Sequence, residues 1–290
     1  MRNVLTWLQS GQLLIADGAA GTMLQAMGLK PGQPPELWNV ENPMAVRSLH
    51  RAYLASGSQV ILTNTFGGNG VRLRRSGLFD RLVELNRAGA ALARAEAAGR
   101  AYVAGDIGPT GELLKPYGPL EYDAAVESFR AQAAALVEGG VDLLWIETMS
   151  DVKEAQAAIA AVHAVTDLPL FCSLSFGKRA RTIMGASPAQ AGETLWPLGL
   201  SAIGANCGEG LDVIFPVLAE MRAALPDAVL IAKPNAGMPR LEQGRTVYDL
   251  GPDEFAARVP EIVALGARVI GACCGSSPAH IAALAARLRG

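Results

Sequence analysis

DLLWIETMSDVKEAQAAIAAVHAVTDLPLFCSLSF, residues 142–176, decides the fold. Its first part, DLLWIET (142–148), is mostly apolar on both alternating faces, as a fully buried parallel strand requires. DVKEAQAAIAAVHAV (151–165) is Ala-rich and helical in pattern, and PLFCSLSF (169–176) is a second buried strand. Strand, helix and strand in this order make one β-α-β unit, whose strands must run parallel.

The same alternation runs through the whole chain. Strand-like runs stand at 13–19, 59–66, 101–107, 142–148, 169–176, 202–207, 228–235 and 268–274. A helix candidate follows each, the clearest others being 44–57, 121–140 and 252–266. Gly57, Gly140 and Gly266 close three of these helices as left-handed caps. Ser187-Pro188 and Ser277-Pro278 open two more, and Pro260 predicts a break inside 252–266. Eight strand–helix pairs give an α/β chain with a single (β/α)8 TIM-type barrel spanning 1–290. The rival is a doubly wound open sheet, which predicts a G-x-G-x-x-G turn after the first strand. That strand ends in DGAAGT (17–22), with glycines only at 18 and 21. The irregular pieces 25–43 and 108–120 both follow strands, so a barrel places them on its active-site face.

Composition narrows the class. Of 290 residues, 50% are hydrophobic and 18% charged, which excludes a disordered chain. A net charge of −2 without a long Lys/Arg run argues against a nucleic-acid partner. No uncharged run reaches the ~20 apolar residues of a membrane span. MRNVLTWLQSGQLLIADGAAG (1–21) lacks a sustained apolar core and reads as the start of a fold, so a cytoplasmic location is expected.

Polar residues crowd at the strand ends: Asp17, Asn64-Thr65, Asp106, Glu147-Thr148, Ser173 with Ser175, Asn206-Cys207, Lys233 with Asn235, and Cys273-Cys274. In a barrel these converge on one face. Burying so many polar groups is unfavourable unless they serve one another, a ligand or a metal. The cysteines sharpen the reading. Strands six and eight have equal parity and can aim Cys207 and the Cys273-Cys274 pair at one point. Adjacent strand residues point to opposite faces, so both members of the pair can meet one metal only where strand gives way to loop. Gly271 and Gly275 flank the pair and permit that bend. Three thiolates with one open position make a plausible catalytic zinc site. Core filling and a vicinal disulfide stay open as alternatives for these cysteines, while Cys172, in mid-strand, reads as core. His50, His163 and His280 all fall in helix patterns and read as structural. Asp17 and Glu147 could be acid and base, anchors for an amine, or structural groups. The structural forms are an acceptor for turn amides at Asp17 and a salt bridge to an Arg at Glu147.

DGAAGTML (17–24), TNTFGGN (63–69), GPTGELLKPYG (108–118), IETMSDVKEA (146–155), GANCG (204–208), KPNAGMP (233–239) and GACCGSSPAHI (271–281) together resemble the zinc- and homocysteine-dependent methyltransferases. The usual last motif reads GGCCG, where this chain has Ala272. The resemblance covers essentially the whole chain. It implies a zinc ion held by Cys207, Cys273 and Cys274, with homocysteine sulfur in the open position. It implies that Asp17 and Glu147 hold the homocysteine ammonium and that backbone N–H groups around Ala19 and Ala20 take its carboxylate. Betaine-using relatives carry a Tyr after the strand-four Glu; Thr148 stands here, leaving Asn235 or water as the displaceable ligand. Asn206 joins the expected substrate contacts, while Asn64 and Asp106 are plausible donors and acceptors without a firmer role. The implied reaction is methyl transfer to homocysteine, giving methionine. The donor is S-methylmethionine, betaine or methylcobalamin, the last brought by a separate corrinoid protein. The motifs lie nearer the homocysteine barrel of cobalamin-dependent methionine synthase than the betaine enzymes. With no folate or cobalamin module in the sequence, the chain is expected to be free-standing, a subunit, or part of a longer enzyme. A zinc hydrolase is the distant alternative. Three thiolates make bound water less acidic, and Glu147 is the one obvious base.

Overall fold

A computed structural model describes residues 4–242 and 245–289. Eight parallel strands form the barrel wall: β1 (Leu14–Ile15), β2 (Val60–Leu62), β3 (Tyr102–Ile107), β4 (Leu143–Met149), β5 (Leu170–Leu174), β6 (Ala202–Cys207), β7 (Leu230–Pro234) and β8 (Ala267–Ile270). Their order round the wall is β1-β8-β7-β6-β5-β4-β3-β2, every adjacent pair parallel. The ends of that series also meet. Gln59 N–H donates to Ile15 O at 2.7 Å, and Ala16 bridges Val60, closing the ring between β1 and β2. The expected (β/α)8 barrel is the observed fold.

Alternation along each strand separates two cores. Leu14, Val60, Tyr102, Trp145, Phe171 and Val269 point inward and pack together as one buried cluster. Trp145 and Phe171 meet edge-on there, with ring centroids 5.3 Å apart. Val4 and Leu8 of the helix Val4–Gln9 join the same cluster, and Trp7 Nε1 donates to Leu13 O, so this helix stops the end of the barrel where β1 begins. The outward strand residues pack against the helices in a second, larger core that includes Phe129, Ile159 and Leu218. With the inside filled by large apolar side chains, room for a ligand remains only at the other end, where the strands terminate.

Local signals fall where the chemistry puts them. Gly57, Gly140 and Gly266 all have positive φ after their helices. Ser187 caps the helix Pro188–Leu195 in a reciprocal box with Gln190. The break near Pro260 comes at Arg258, between Pro252–Ala257 and Val259–Ala264, with Pro260 inside the first turn of the second helix. Two differences stand out. β1 and β8 are shorter than their apolar runs, because Asp17 and Gly271 onward peel into loops. An antiparallel hairpin, Pro239–Glu242 with Arg245–Tyr248, is inserted after β7, where no strand was expected. Its four-residue strands are too short and too charged to carry an apolar signature.

Candidate functional site

Where β6 and β8 end, the backbone bends to aim three sulfurs at one point. β8 stops at Ile270, and Gly271–Cys274 continue as a loop tied to β7 by Gly271 N–H on Ala232 O and Cys273 N–H on Pro234 O. Gly275 then takes φ +79°, and a Cβ there would collide with the Tyr248 ring at 2.1 Å, so only glycine turns the chain here. Cys207 ends β6 with φ +60°, uncommon for a residue with a Cβ. The flanking-glycine bend expected for the Cys pair is therefore what the chain adopts. The Cys207 and Cys274 sulfurs stand 3.8 Å apart, and all three sulfurs lie within 4.8 Å of one another. Ligands at about 2.3 Å on a tetrahedral zinc are separated by about 3.8 Å, so the spacing fits that ion. All four cysteines are free thiols, which removes the vicinal disulfide. Cys172 is fully buried in β5, its thiol pushed up to about 12 by burial, and it is core as expected.

The thiols shape one another electrostatically. Hydrogen bonds from Cys273 and Cys274 hold the Cys207 thiol far below its ordinary range. The same Cys207 sulfur pushes the Cys273 and Cys274 thiols upward. One thiolate forms readily and the next two are opposed, an arrangement a divalent cation would relieve. Asn235 sits between the two cysteine segments, the next residue, Ala236, donating its N–H to Cys274 O at 3.0 Å. Asn235 is buried, its Nδ2 donates to Gly208 O at 2.8 Å, and its Oδ1 has no partner. Tyr248, from the hairpin, packs its ring against Gly275 beside the cysteine sulfurs, and burial together with Cys274 holds its hydroxyl above the ordinary range.

Beside the sulfurs lies a charged cluster with an unforeseen centre. Lys233, at the end of β7, is buried with its Nζ 3.3 Å from Glu147 Oε2 and 3.5 Å from Asp17 Oδ1. Its ammonium also stands 5.0 Å from the centre of the Trp145 ring. Burial alone would lower Lys233, but Glu147 and Asp17, with Cys273 and Asp106, outweigh it and keep the ammonium charged. Burial raises Asp17 to about 6, against the pull of Lys233, and raises Glu147 as well. Glu147 does form a salt bridge, one of the open readings of this residue, but with a lysine and not an arginine. Asp17 also accepts a backbone amide, from Leu62 of the neighbouring β2 at 2.8 Å, instead of from its own turn. Lys233 was visible as a polar strand end; its length and its position between two acids were not.

Asn206 has a different duty from the substrate contact expected of it. Its Oδ1 accepts the Thr148 N–H at 2.8 Å and the Ser173 hydroxyl at 2.7 Å. Its Nδ2 donates to Thr148 Oγ1 at 2.7 Å and reaches Cys273 Sγ at 3.8 Å. With every polar atom engaged, it holds Thr148 at φ +61° and so fixes Glu147 beside Cys273. Ala19 also differs from expectation. Its N–H already donates to Ser276 Oγ at 3.0 Å, and its carbonyl accepts the Tyr53 hydroxyl. Ala20 begins the helix Ala20–Ala26, whose start has no side-chain cap. Asn64 is held by Asn39 and Pro35 O. The histidines lie in helices and pair, where they pair, with local groups: His163 with Leu198 O, His280 with Ser277 and Leu250 O.

A cavity of about 450 Å³ joins these parts. Cys207, Cys273 and Cys274 line it, as do Asp17, Ala19, Ala20, Glu147, Lys233 and Asp106. Of the two long loops, 25–43 contributes Gly32 to Glu36 to its wall. The loop 108–120 supplies no lining residue; it is folded on itself through a Leu114–Leu120 bridge and tied to Glu154 by Thr110. Glu36 is a further wall residue without a sequence signal, buried and accepting the Gly67 amide at 2.6 Å.

Comparison with known proteins agrees with this geometry. Residues 14–288 match the family model described as homocysteine S-methyltransferase. The chain is 32% identical to the methionine synthase of Mycobacterium tuberculosis over 96% of its own length, and 30% identical to that of Mycobacterium leprae over 95%. It spans only about a quarter of the length of either. Among solved structures, the metallated form of the homocysteine methyltransferase MmuM from Escherichia coli superposes with a TM-score of 0.82. That match is at 27% identity and covers 97% of this chain and 98% of that one.

Proposed function

The chain belongs to the homocysteine S-methyltransferase family and is an enzyme of that class, and we propose that zinc, held by Cys207, Cys273 and Cys274, presents homocysteine for methylation to methionine. One observation carries this reading: three convergent sulfurs and a buried acid–lysine cluster share one cavity, so a thiol and an amino group of one small molecule can be held together. The residues fit zinc in donor type and in spacing, and the partnerless Oδ1 of Asn235 is the chain's own candidate for the position that homocysteine takes. When bound, zinc supplies a substrate sulfur that is a thiolate at neutral pH, kept electron-rich by three thiolate neighbours.

The chain's residues do the remaining work. Glu147 and Asp17 receive the substrate ammonium alongside Lys233. Lys233 keeps both carboxylates partnered, since two bare buried acids would otherwise raise each other's pKa and take up a proton from solvent. Asn206 positions Glu147 through Thr148. Ala20, at the uncapped helix start, offers its amide to the substrate carboxylate, the Ala19 amide being engaged by Ser276. The buried apolar cluster inside the barrel, where Trp145 lies 5.0 Å below Lys233 Nζ, keeps water from reaching the charged end from beneath. A zinc hydrolase is disfavoured because the acid nearest the sulfurs, Glu147, is tied to Lys233 and not free to act as a base.

The donor is a small sulfonium or ammonium compound, or methylcobalamin on a separate corrinoid protein; the second is favoured by likeness to one part of the methionine synthases. We expect the purified zinc-loaded chain to form methionine from homocysteine with one of these. Turnover with S-methylmethionine or betaine alone marks a self-sufficient enzyme; turnover only with methylcobalamin, free or carrier-bound, marks a subunit. Failure with all three, in a protein that holds zinc, contradicts the function.

As a location, cytoplasm is the natural place for free thiols of this kind. Among the described residues no helix is long and apolar enough to cross a membrane.

A further inference from the structure

Three carboxyl groups, not two, face the cavity's charged end. Asp106, the fifth residue of β3, points into the barrel like Tyr102 and Ala104 below it. Its backbone is pinned on both sides: its N–H donates to Thr63 Oγ1 at 2.9 Å, and its carbonyl accepts from Thr65 Oγ1 at 2.8 Å and Gln132 Nε2 at 3.2 Å. The backbone is thus fixed, while the side-chain Oδ1 is left without a partner. Asp106 is 5% exposed and lines the cavity. Buried polar groups are almost always paired, and a fixed exception in a cavity marks a place where a ligand group belongs. Its charged neighbours are Glu147, Lys233, Asp17 and Glu36. Lys233 already takes Asp17 Oδ1 and Glu147 Oε2, and Glu36 is engaged by Gly67. Asp17, Asp106 and Glu147 against Lys233 alone leave that end of the cavity two negative charges in excess if all are ionised.

We propose that Asp106 is a third carboxylate for the substrate's ammonium, taking the N–H that the Lys233-bound Asp17 and Glu147 leave unsatisfied. An ammonium has three N–H donors, and a buried one needs three acceptors. The group does not touch the sulfur, so its role is to bind and select an amino thiol over a plain thiol. Burial, helped by Glu147, keeps the Asp106 carboxyl well above its ordinary range even with Lys233 nearby, so the site without substrate carries the acid at a cost in stability and the substrate ammonium draws out its charge.

The inference rests on the homocysteine reading of the site, and one titration separates the two. Zinc-loaded wild type and Asp106→Asn are titrated calorimetrically with L-homocysteine and with 4-mercaptobutanoate, which lacks only the amine. Wild type is expected to bind both, homocysteine more tightly. Asp106→Asn is expected to weaken homocysteine by about 10- to 100-fold, the scale of a charge-assisted hydrogen bond, and to change 4-mercaptobutanoate less than about threefold. Its melting temperature without substrate should equal or exceed that of wild type, since a buried unpaired acid is replaced by a neutral amide. Equal homocysteine affinity in both proteins, equal weakening of both ligands, or a lowered melting temperature with homocysteine binding intact each overturns the role of Asp106. Wild type that binds neither thiol overturns the homocysteine reading, and this inference with it.

Discussion

Cys274→Ala is expected to take zinc from about one ion per chain to less than about a tenth, and methyl transfer with it. Three sulfurs within 4.8 Å of one another leave no spare ligand in the set. Structural and catalytic zinc sites alike use at least three protein donors, so two thiolates and a solvent-facing gap hold the ion far less tightly. The histidines cannot step in, because all three sit in helices behind the wall. Cys172→Ala is the internal control. That thiol lies fully buried inside β5, so its loss should lower stability by about 1–2 kcal/mol through the small cavity left, while zinc content stays at wild-type level. Metal analysis of the two variants after identical dialysis checks the pair. Zinc retained by Cys274→Ala, or lost from Cys172→Ala, would contradict the assignment.

Lys233→Met should be the most damaging single change outside the sulfurs, and its damage should depend on pH. Removing one partner of a buried ion pair leaves uncompensated charge and typically costs about 3–5 kcal/mol. The sign follows from the titrations. Asp17 titrates near 6 in the folded chain against 3.8 as a model group, so the folded state binds its proton more tightly. Stability therefore falls as pH rises between those values, and the cost of the buried charge is complete above about pH 6. Lys233 works in the opposite sense: its raised pKa stabilises the fold at all pH below its unfolded value and offsets the cost of the acids. Without it, Asp17 and Glu147 must take up protons to be buried, which low pH favours and high pH opposes. Urea unfolding should show the full loss at pH 8 and a distinctly smaller one at pH 5. An equal loss at both would mean that Lys233 contributes packing alone.

The barrel was legible because each buried strand writes itself twice over, as an apolar run and as the helix that follows it. The cysteine site was legible because Cys-Cys between Gly271 and Gly275 can converge only at a strand end, and the β8 wall does end at Ile270. What stayed hidden was pairing. Nothing in KPNAG says that its lysine turns back onto acids 216 and 86 residues away in sequence, at Asp17 and Glu147. Asn206 looked like a substrate contact because a polar strand end does not reveal how many partners it already has. The hairpin escaped because two four-residue polar strands carry no hydrophobic period. Pattern reports which residues reach the mouth of the barrel, and only coordinates report which of them are already engaged.

The central claim is that these three cysteines hold a zinc ion whose remaining position is taken by the homocysteine sulfur. X-ray absorption at the zinc edge, measured on the loaded chain before and after adding L-homocysteine, tests it most directly. The account predicts three sulfur neighbours and one lighter atom at first, and four sulfurs at about 2.3 Å once homocysteine is added. A zinc shell that holds fewer than three sulfurs, or that stays unchanged with homocysteine bound, would contradict it.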